Sequence, residues 1–291
     1  MSTISGLYQR MIEAFDTPGL AIPAAFVKIY RNQDHIPAEL EEFSNLDEET
    51  VMSCQAAKHA ANDNPVLLTL DNVGCIAAAI GLGLVDQHQQ TPLPGKRIYT
   101  CVMHEQVDLD PKWKAPSPAQ FTDGTVYACH DSDRHEFCLF GPDDVGRFKD
   151  VATARKAIGQ MMAIQPPTTK AVFFYSTGFQ ALDIEPDLVV MDVRPVELTK
   201  LVQALAFLTG ERVNASMGPL RAMNSDLIAR PYLTGQINVS PYCLGSRALT
   251  KFGPCQMGIS FPYEKFKITV EGLEQSRTGY PFAAYPGFDE F

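Results

Sequence analysis

"PDLVVMDVRPVELTKLVQALAFLTG", residues 186–210, joins two structural patterns in one run. Its opening, "PDLVVMDV", is apolar, rich in valine and bounded by a proline, the composition of a buried strand. "RPVELTKLVQALAFLTG" then reads as a helix, with Pro195 near its start and Gly210 at its end. Proline's missing N–H is harmless in a first turn, and glycine accepts the backbone conformation that stops a helix. A strand that feeds a helix is the unit from which the fold is read.

The same alternation extends outward in both directions. "AIPAAFVKIYRN" (21–32), "NPVLLTL", "KAVFFYS" and "QMGISFP" read as further strands, and "ERVNAS" (211–216) as another. Helices are expected over "DEETVMSCQAAKHAAND" (47–63), whose acidic first turn suits the helix dipole, and over "DNVGCIAAAIGLGLV". Others are expected over 150–164, stopped by Pro166 and Pro167, and over the closing "YEKFKITVEGLEQ". "PLRAMNSDLIARPYLTG" reads as a helix or a broken helix. Near the N-terminus, Leu7, Met11, Ile12 and Phe15 recur at amphipathic-helix spacing. The expected class is α/β or α+β, a mixed sheet with flanking helices in a single domain over 1–291.

Residues 86–150 break the pattern. "QHQQTPLPGKR" and "DPKWKAPSPAQFTDG" make this a turn-rich insertion within the domain. An internal echo is also present, since "CQAAKHAANDNPVLLTLDNVGC" and "VQALAFLTGERVNASMGPLRAM" share the order helix, strand, helix. A true repeat would make the two halves pseudo-twofold related.

Composition excludes some functions. Hydrophobic residues are 45% of the chain, enough for a sizeable core without disulfide staples. The formal net charge is −10, and no compact basic run offsets it, so nucleic acid is not an expected partner. The N-terminus lacks the basic start and apolar run of a secretory signal. The longest apolar run, "CIAAAIGLGLV", is too short to span a bilayer, so the expectation is a cytoplasmic protein with no membrane partner. Seven cysteines in a reducing compartment point to free thiols, ligands or redox groups. The tail "GYPFAAYPGFDEF" is apolar enough to dock on this protein or on a second copy of it, making a homo-oligomer.

Three of the cysteines have informative positions. Cys54 is expected in mid-helix, where the residue taken alone reads as a small buried core side chain ahead of a ligand. Cys75 is expected in a first turn capped by Asp71 or Asn72, where free amides favour a thiolate; packing beside the alanines is the alternative. Cys243 is placed third in a helix capped by Ser240 with Pro241 first, and Arg247 follows one turn on. Arg247 is then either a neighbour of that thiol or the partner of some carboxylate. Cys255 follows a Gly-Pro turn and carries less signal.

"CHDSDRHEFC", residues 129–138, resembles a compact metal motif. Read as a hairpin closed by Asp131–Arg134, it puts Cys129 and Cys138 on one face and His130 and His135 on the other. The two cysteines are then about 7–8 Å apart, and no single tetrahedral ion takes all four side chains. A site here needs Cys101 and His104 from "YTCVMHE" to complete it. Among nucleotide and hydrolase motifs, there is no Walker loop, dinucleotide fingerprint, G-x-S-x-G elbow or His-Glu-x-x-His.

In order along the chain, "AAFVKIY", "SCQAAKHA", "VLLTLDNVGCIAAAIGLG", "PDLVVMDVRPVELTKLVQAL", "PYLTGQINVSPYCLGSRAL" and "MGISFPYEKF" resemble the family called domain of unknown function 169. The resemblance covers roughly 21–84 and 170–275. It implies that Cys54, Cys75 and Cys243 match recurrent family cysteines. It also implies a further cysteine at the position of Ser246 and one near Met223 or Asn224, both absent from this chain.

The expected function is therefore a metal-centre protein whose cleft is lined by Cys54, Cys75 and Cys243, with Arg247 balancing charge. Soft thiolates favour an iron–sulfur cluster over zinc, and an open iron would admit a small-molecule substrate. Cys101, His104, Cys129 and Cys138 form the second-choice metal site. The alternatives are a metal-free enzyme using Cys243 or Cys75 as nucleophile or redox thiol, and a non-catalytic binding or assembly subunit.

Overall fold

The computed structural model describes residues 4–17, 19–44, 50–84, 160–164, 168–218 and 220–276. The insertion over 86–150 and the aromatic tail lie outside them, as do Cys101, His104, Cys129 and Cys138. Of the helix expected over 150–164, only 160–164 are described, and these form no helix.

The strands are β1 (Ala24–Arg31), β2 (Val66–Leu68), β3 (Thr169–Tyr175), β4 (Leu188–Val193), β5 (Asn238–Ser240) and β6 (Met257–Pro262). They form one sheet in the order β2-β3-β1-β4-β6-β5. Every pairing in it is antiparallel. Alternate side chains of a strand point to opposite faces, and here both faces are buried. Ala25, Val27 and Ile29 of β1 enter one core, whereas Ala24, Phe26 and Tyr30 enter the other. Two-sided burial explains why these strands read as unbroken apolar runs rather than as alternating ones.

Helices α1 (Ile4–Phe15), α4 (Pro195–Thr209) and α7 (Tyr263–Gln275) cover one face. Helices α2 (Ser53–Ala60) and α3 (Ile76–Gly81) and a π-helix (Ala222–Ala229) lie on the other. The π-helix runs into α5 (Arg230–Thr234), and α6 (Leu244–Thr250) packs on α2. The ends of α4 are as expected. Glu197 accepts from Arg194 N at 2.7 Å, Pro195 opens the helix, and Gly210 closes it in the left-handed region at φ 69°. Helices α4 and α7 approach so closely that a Cβ on Gly272 would lie 2.1 Å from the Ala204 carbonyl oxygen.

Three expectations are corrected. The helix expected over 47–63 begins only at Ser53, because Val51 is held extended in a parallel bridge to Val73. The amide of Val51 donates to Asn72 O and its carbonyl accepts from Gly74 N, both at 2.8 Å, so a helix cannot start earlier. "ERVNAS" forms no strand. Ser216 there bonds both its backbone groups to the side chain of Asn238, at 2.8 and 2.9 Å, in place of a ladder. The echo of helix, strand and helix therefore lacks its second strand, and α2 and α4 sit on opposite faces of the sheet. The broken helix over 219–235 is the π-helix joined to α5.

Candidate thiol site

Each of the three singled-out cysteines stands at the start of a helix. Cys54 is the second residue of α2, in its first turn rather than in mid-helix. Cys75 immediately precedes α3, and its carbonyl accepts from Ala78 N and Ala79 N at 2.9 and 3.0 Å. Asn72 does not cap that helix. Its side chain is held in the turn before it, accepting from Thr69 N and donating to Leu67 O, both at 2.8 Å. Cys243 is itself the cap of α6: its sulfur accepts from Ser246 N at 3.4 Å and meets Ser246 Oγ at 3.2 Å. Ser240 belongs to β5, and its hydroxyl accepts from Tyr242 N at 3.3 Å instead of capping the helix.

The backbone at Tyr242 produces this arrangement. Its φ of 64° lies in the left-handed region, which costs a non-glycine residue about 1–2 kcal/mol. The turn is held by the Tyr242 ring, which stacks on Phe252 at 3.9 Å. The ring also passes over Gly258 of β6, where an added Cβ would lie 3.0 Å from it. Two tight features of the chain, a strained tyrosine and a glycine in a strand, thus fix where Cys243 sits.

The sulfurs are electrostatic neighbours. Cys54 is buried, and burial pushes its thiol well above the ordinary range. Negative charge on Cys243 or on Cys75 would push it further, while a hydrogen bond from Ser246 opposes both. Ser246 therefore serves two of the three sulfurs. Cys75 and Cys243 are half-buried, and Cys75 packs against the same core as Cys54. Cys255 is exposed.

Arg221, which the sequence reading passed over, and Asn224 complete the surroundings. Arg221, at φ 57° before the π-helix, has its pKa lowered to about 9 by burial, and Cys75 opposes that shift. It is the guanidinium that bears on a sulfur. Arg247 is engaged elsewhere, donating to Pro241 O (2.6 Å), Gly253 O (2.6 Å) and Gln256 O (2.9 Å) and so tying down the loop after α6. Asn224 of the π-helix accepts a hydrogen bond from Ser53, the residue before Cys54. Gly81 at the end of α3 lies against the same Asn224. The positions where the family resemblance implies extra cysteines, Ser246 and the Met223–Asn224 pair, thus border this site. A signal for Arg221 existed, a lone cation in the otherwise apolar "PLRAM".

Among the described residues, no three His, Cys, Asp or Glu side chains stand placed to hold one metal ion. No helix among the described residues is long and apolar enough to cross a membrane.

The chain belongs to the family DUF169, described as uncharacterised ArCR, whose model matches residues 23–272 and so includes the middle segment. It is similar to the uncharacterized protein MJ0308 of Methanocaldococcus jannaschii, at 28% identity over 133 residues. That match takes in 46% of this chain and 56% of the relative, so the chain spans about half the length of the curated protein it resembles. No solved structure matches it.

Proposed function

We propose that this DUF169 chain binds a thiophilic metal centre through Cys54, Cys75 and Cys243. The observation that carries the reading is that Cys75 and Cys243, distant in sequence, bear electrostatically on Cys54, and that all three stand at helix starts. Helix starts present unpaired amides and partial positive charge, which stabilise thiolates and donate hydrogen bonds to sulfur. A thiol such as Cys54, which burial and two neighbouring sulfurs keep protonated, loses its proton readily only when a cation compensates the charge. Sulfurs that neighbour one another without surrounding one point suit a cluster, whose irons spread their ligands over several corners, better than a lone zinc. No reaction is assigned to such a centre.

The test is anaerobic purification and reconstitution with iron and sulfide, followed by visible absorbance and metal analysis, on wild type and on Cys54→Ser, Cys75→Ser and Cys243→Ser. Charge-transfer absorbance in wild type, lost in each variant, is the expected result. A colourless, metal-free wild type overturns the reading.

A second reading rests on Arg221. A guanidinium beside Cys75 with no preformed metal nest also suits a metal-free, reactive thiol. Under that reading, an alkylating reagent at neutral pH modifies Cys75 first, and Arg221→Met slows the modification.

A further inference from the structure

A pocket of about 480 Å³, part of it open to solvent, lies between α2 and the junction of β1 with β4. Its floor is Ala25 and Val190, cross-strand partners in the sheet, and Met223 and Phe252 close its sides. Its roof is the outer part of α2, one turn and more beyond Cys54.

Two opposite charges border this apolar space without touching. Asp192 of β4 accepts from Tyr242 Oη at 3.4 Å and interacts with the Gln256 side chain. Among the described residues it makes no ion pair within contact distance. Burial raises its pKa to about 6, against the opposing pull of Tyr242, Lys58, Arg247 and Gln256, so the ionised carboxylate is poorly solvated. Lys58 of α2 donates to Thr250 O at 2.6 Å and Lys251 O at 3.3 Å, and it lies 5.1 Å from the centre of the Phe252 ring. An ammonium has three N–H donors, so these contacts leave one. Arg247, the other nearby cation, is committed to main-chain carbonyls.

A simple amine would meet Asp192 but be repelled by Lys58, and a simple acid would meet Lys58 but be repelled by Asp192. We propose that this pocket binds a small zwitterion of the amino-acid class, with its ammonium on Asp192, its carboxylate on Lys58 and its carbon side chain against Ala25, Val190 and Met223. The proposal does not rest on the metal reading, although α2 carries residues of both sites.

The test uses calorimetry and thermal shift on the full chain at pH 7.5, with alanine, valine, leucine and methionine as probes. Isopentylamine and 4-methylpentanoate, which lack one charge of leucine each, are the controls. At least one amino acid is expected to bind and raise the melting temperature, and both controls to bind at least tenfold more weakly. Asp192→Asn and Lys58→Gln each weaken the amino acid at least tenfold. Because Lys58→Gln also frees two carbonyls, Ala61→Trp at the pocket mouth serves as a second variant that leaves both charges in place and blocks entry. No binding by any amino acid, equal binding by the controls, or indifference to Asp192→Asn and Ala61→Trp overturns the proposal. The triple serine variant of Cys54, Cys75 and Cys243 is expected to keep amino-acid binding. Metal analysis on the same samples then shows which of the two sites has failed, should either do so.

Discussion

The two faces of the sheet are built by different means. The face under α1, α4 and α7 is filled by large rings: Phe26 meets Tyr175 and Phe266 at 5.8 and 6.3 Å, and Phe173 stacks on Tyr175 at 5.1 Å. Its helices are regular, and Arg10 and Glu274 join α1 to α7 through hydrogen bonds of 2.8 and 2.5 Å. The opposite face carries alanines (Ala56, Ala57, Ala60, Ala78, Ala79), a π-helix and left-handed residues at Arg221 and Tyr242. It also carries Cys54 and Cys75 and buries the polar Ser53, Asn224 and Asp226. Large rings fill space and stabilise a fold, whereas small residues, strained turns and π-helices bring functional groups close at a cost in stability. One face is packed with rings, and the other carries the small residues, strained turns and thiols.

That division can be broken by experiment. Phe26→Ala removes a fully buried ring from the aromatic face and is expected to cost about 3–5 kcal/mol in urea denaturation. Metal per folded chain should be unchanged; a proportional loss of metal would show that the faces are not independent. Ser53→Ala acts on the other face by stranding the buried Asn224, with an expected loss of about 1–3 kcal/mol. Here metal content or thiol reactivity should change along with stability, because the bond joins the start of α2 to the π-helix.

Ser246→Cys exchanges a buried hydroxyl that bonds two sulfurs for a weaker donor, with an expected loss of about 0.5–1.5 kcal/mol. It supplies a fourth thiol next to two of the existing ones, so iron should leave more slowly under a chelator. Faster loss would remove Ser246 from the site. The smallest expected effect concerns pH. Burial raises Asp192 and Asp226 to about 6, above the ordinary 3.8, so the folded chain binds these protons more tightly than the unfolded chain. Their contribution is fully present below about 3.8 and is lost as pH rises through about 6. Asp192→Asn with Asp226→Asn should flatten stability between those limits.

Much of the fold was legible because its signals are local. The "LVVMDV" run marked β4. Pro195 and Gly210 marked both ends of α4 correctly. The helix starts at the site were not legible, because what sets them is distant. Val73 holds Val51 extended and so delays α2, and the left-handed turn at Tyr242 makes Cys243 the cap in place of Ser240. Arg247 read as the neighbour of a thiol on helical spacing alone, yet carbonyls on both sides of α6 capture it.

By itself, the sequence determined the buried strands and most of the helices, since burial on both faces and turn residues leave periodic marks. The tertiary structure alone decided that Cys75 and Cys243, distant in sequence, bear electrostatically on Cys54. The antiparallel order places β1 and β4 at the centre and folds residues from both halves over one face. As a result Lys58 reaches Thr250, a residue 192 positions away. It also brought Arg221 to bear on Cys75, because proximity across a sheet face is set by strand order and not by spacing along the chain.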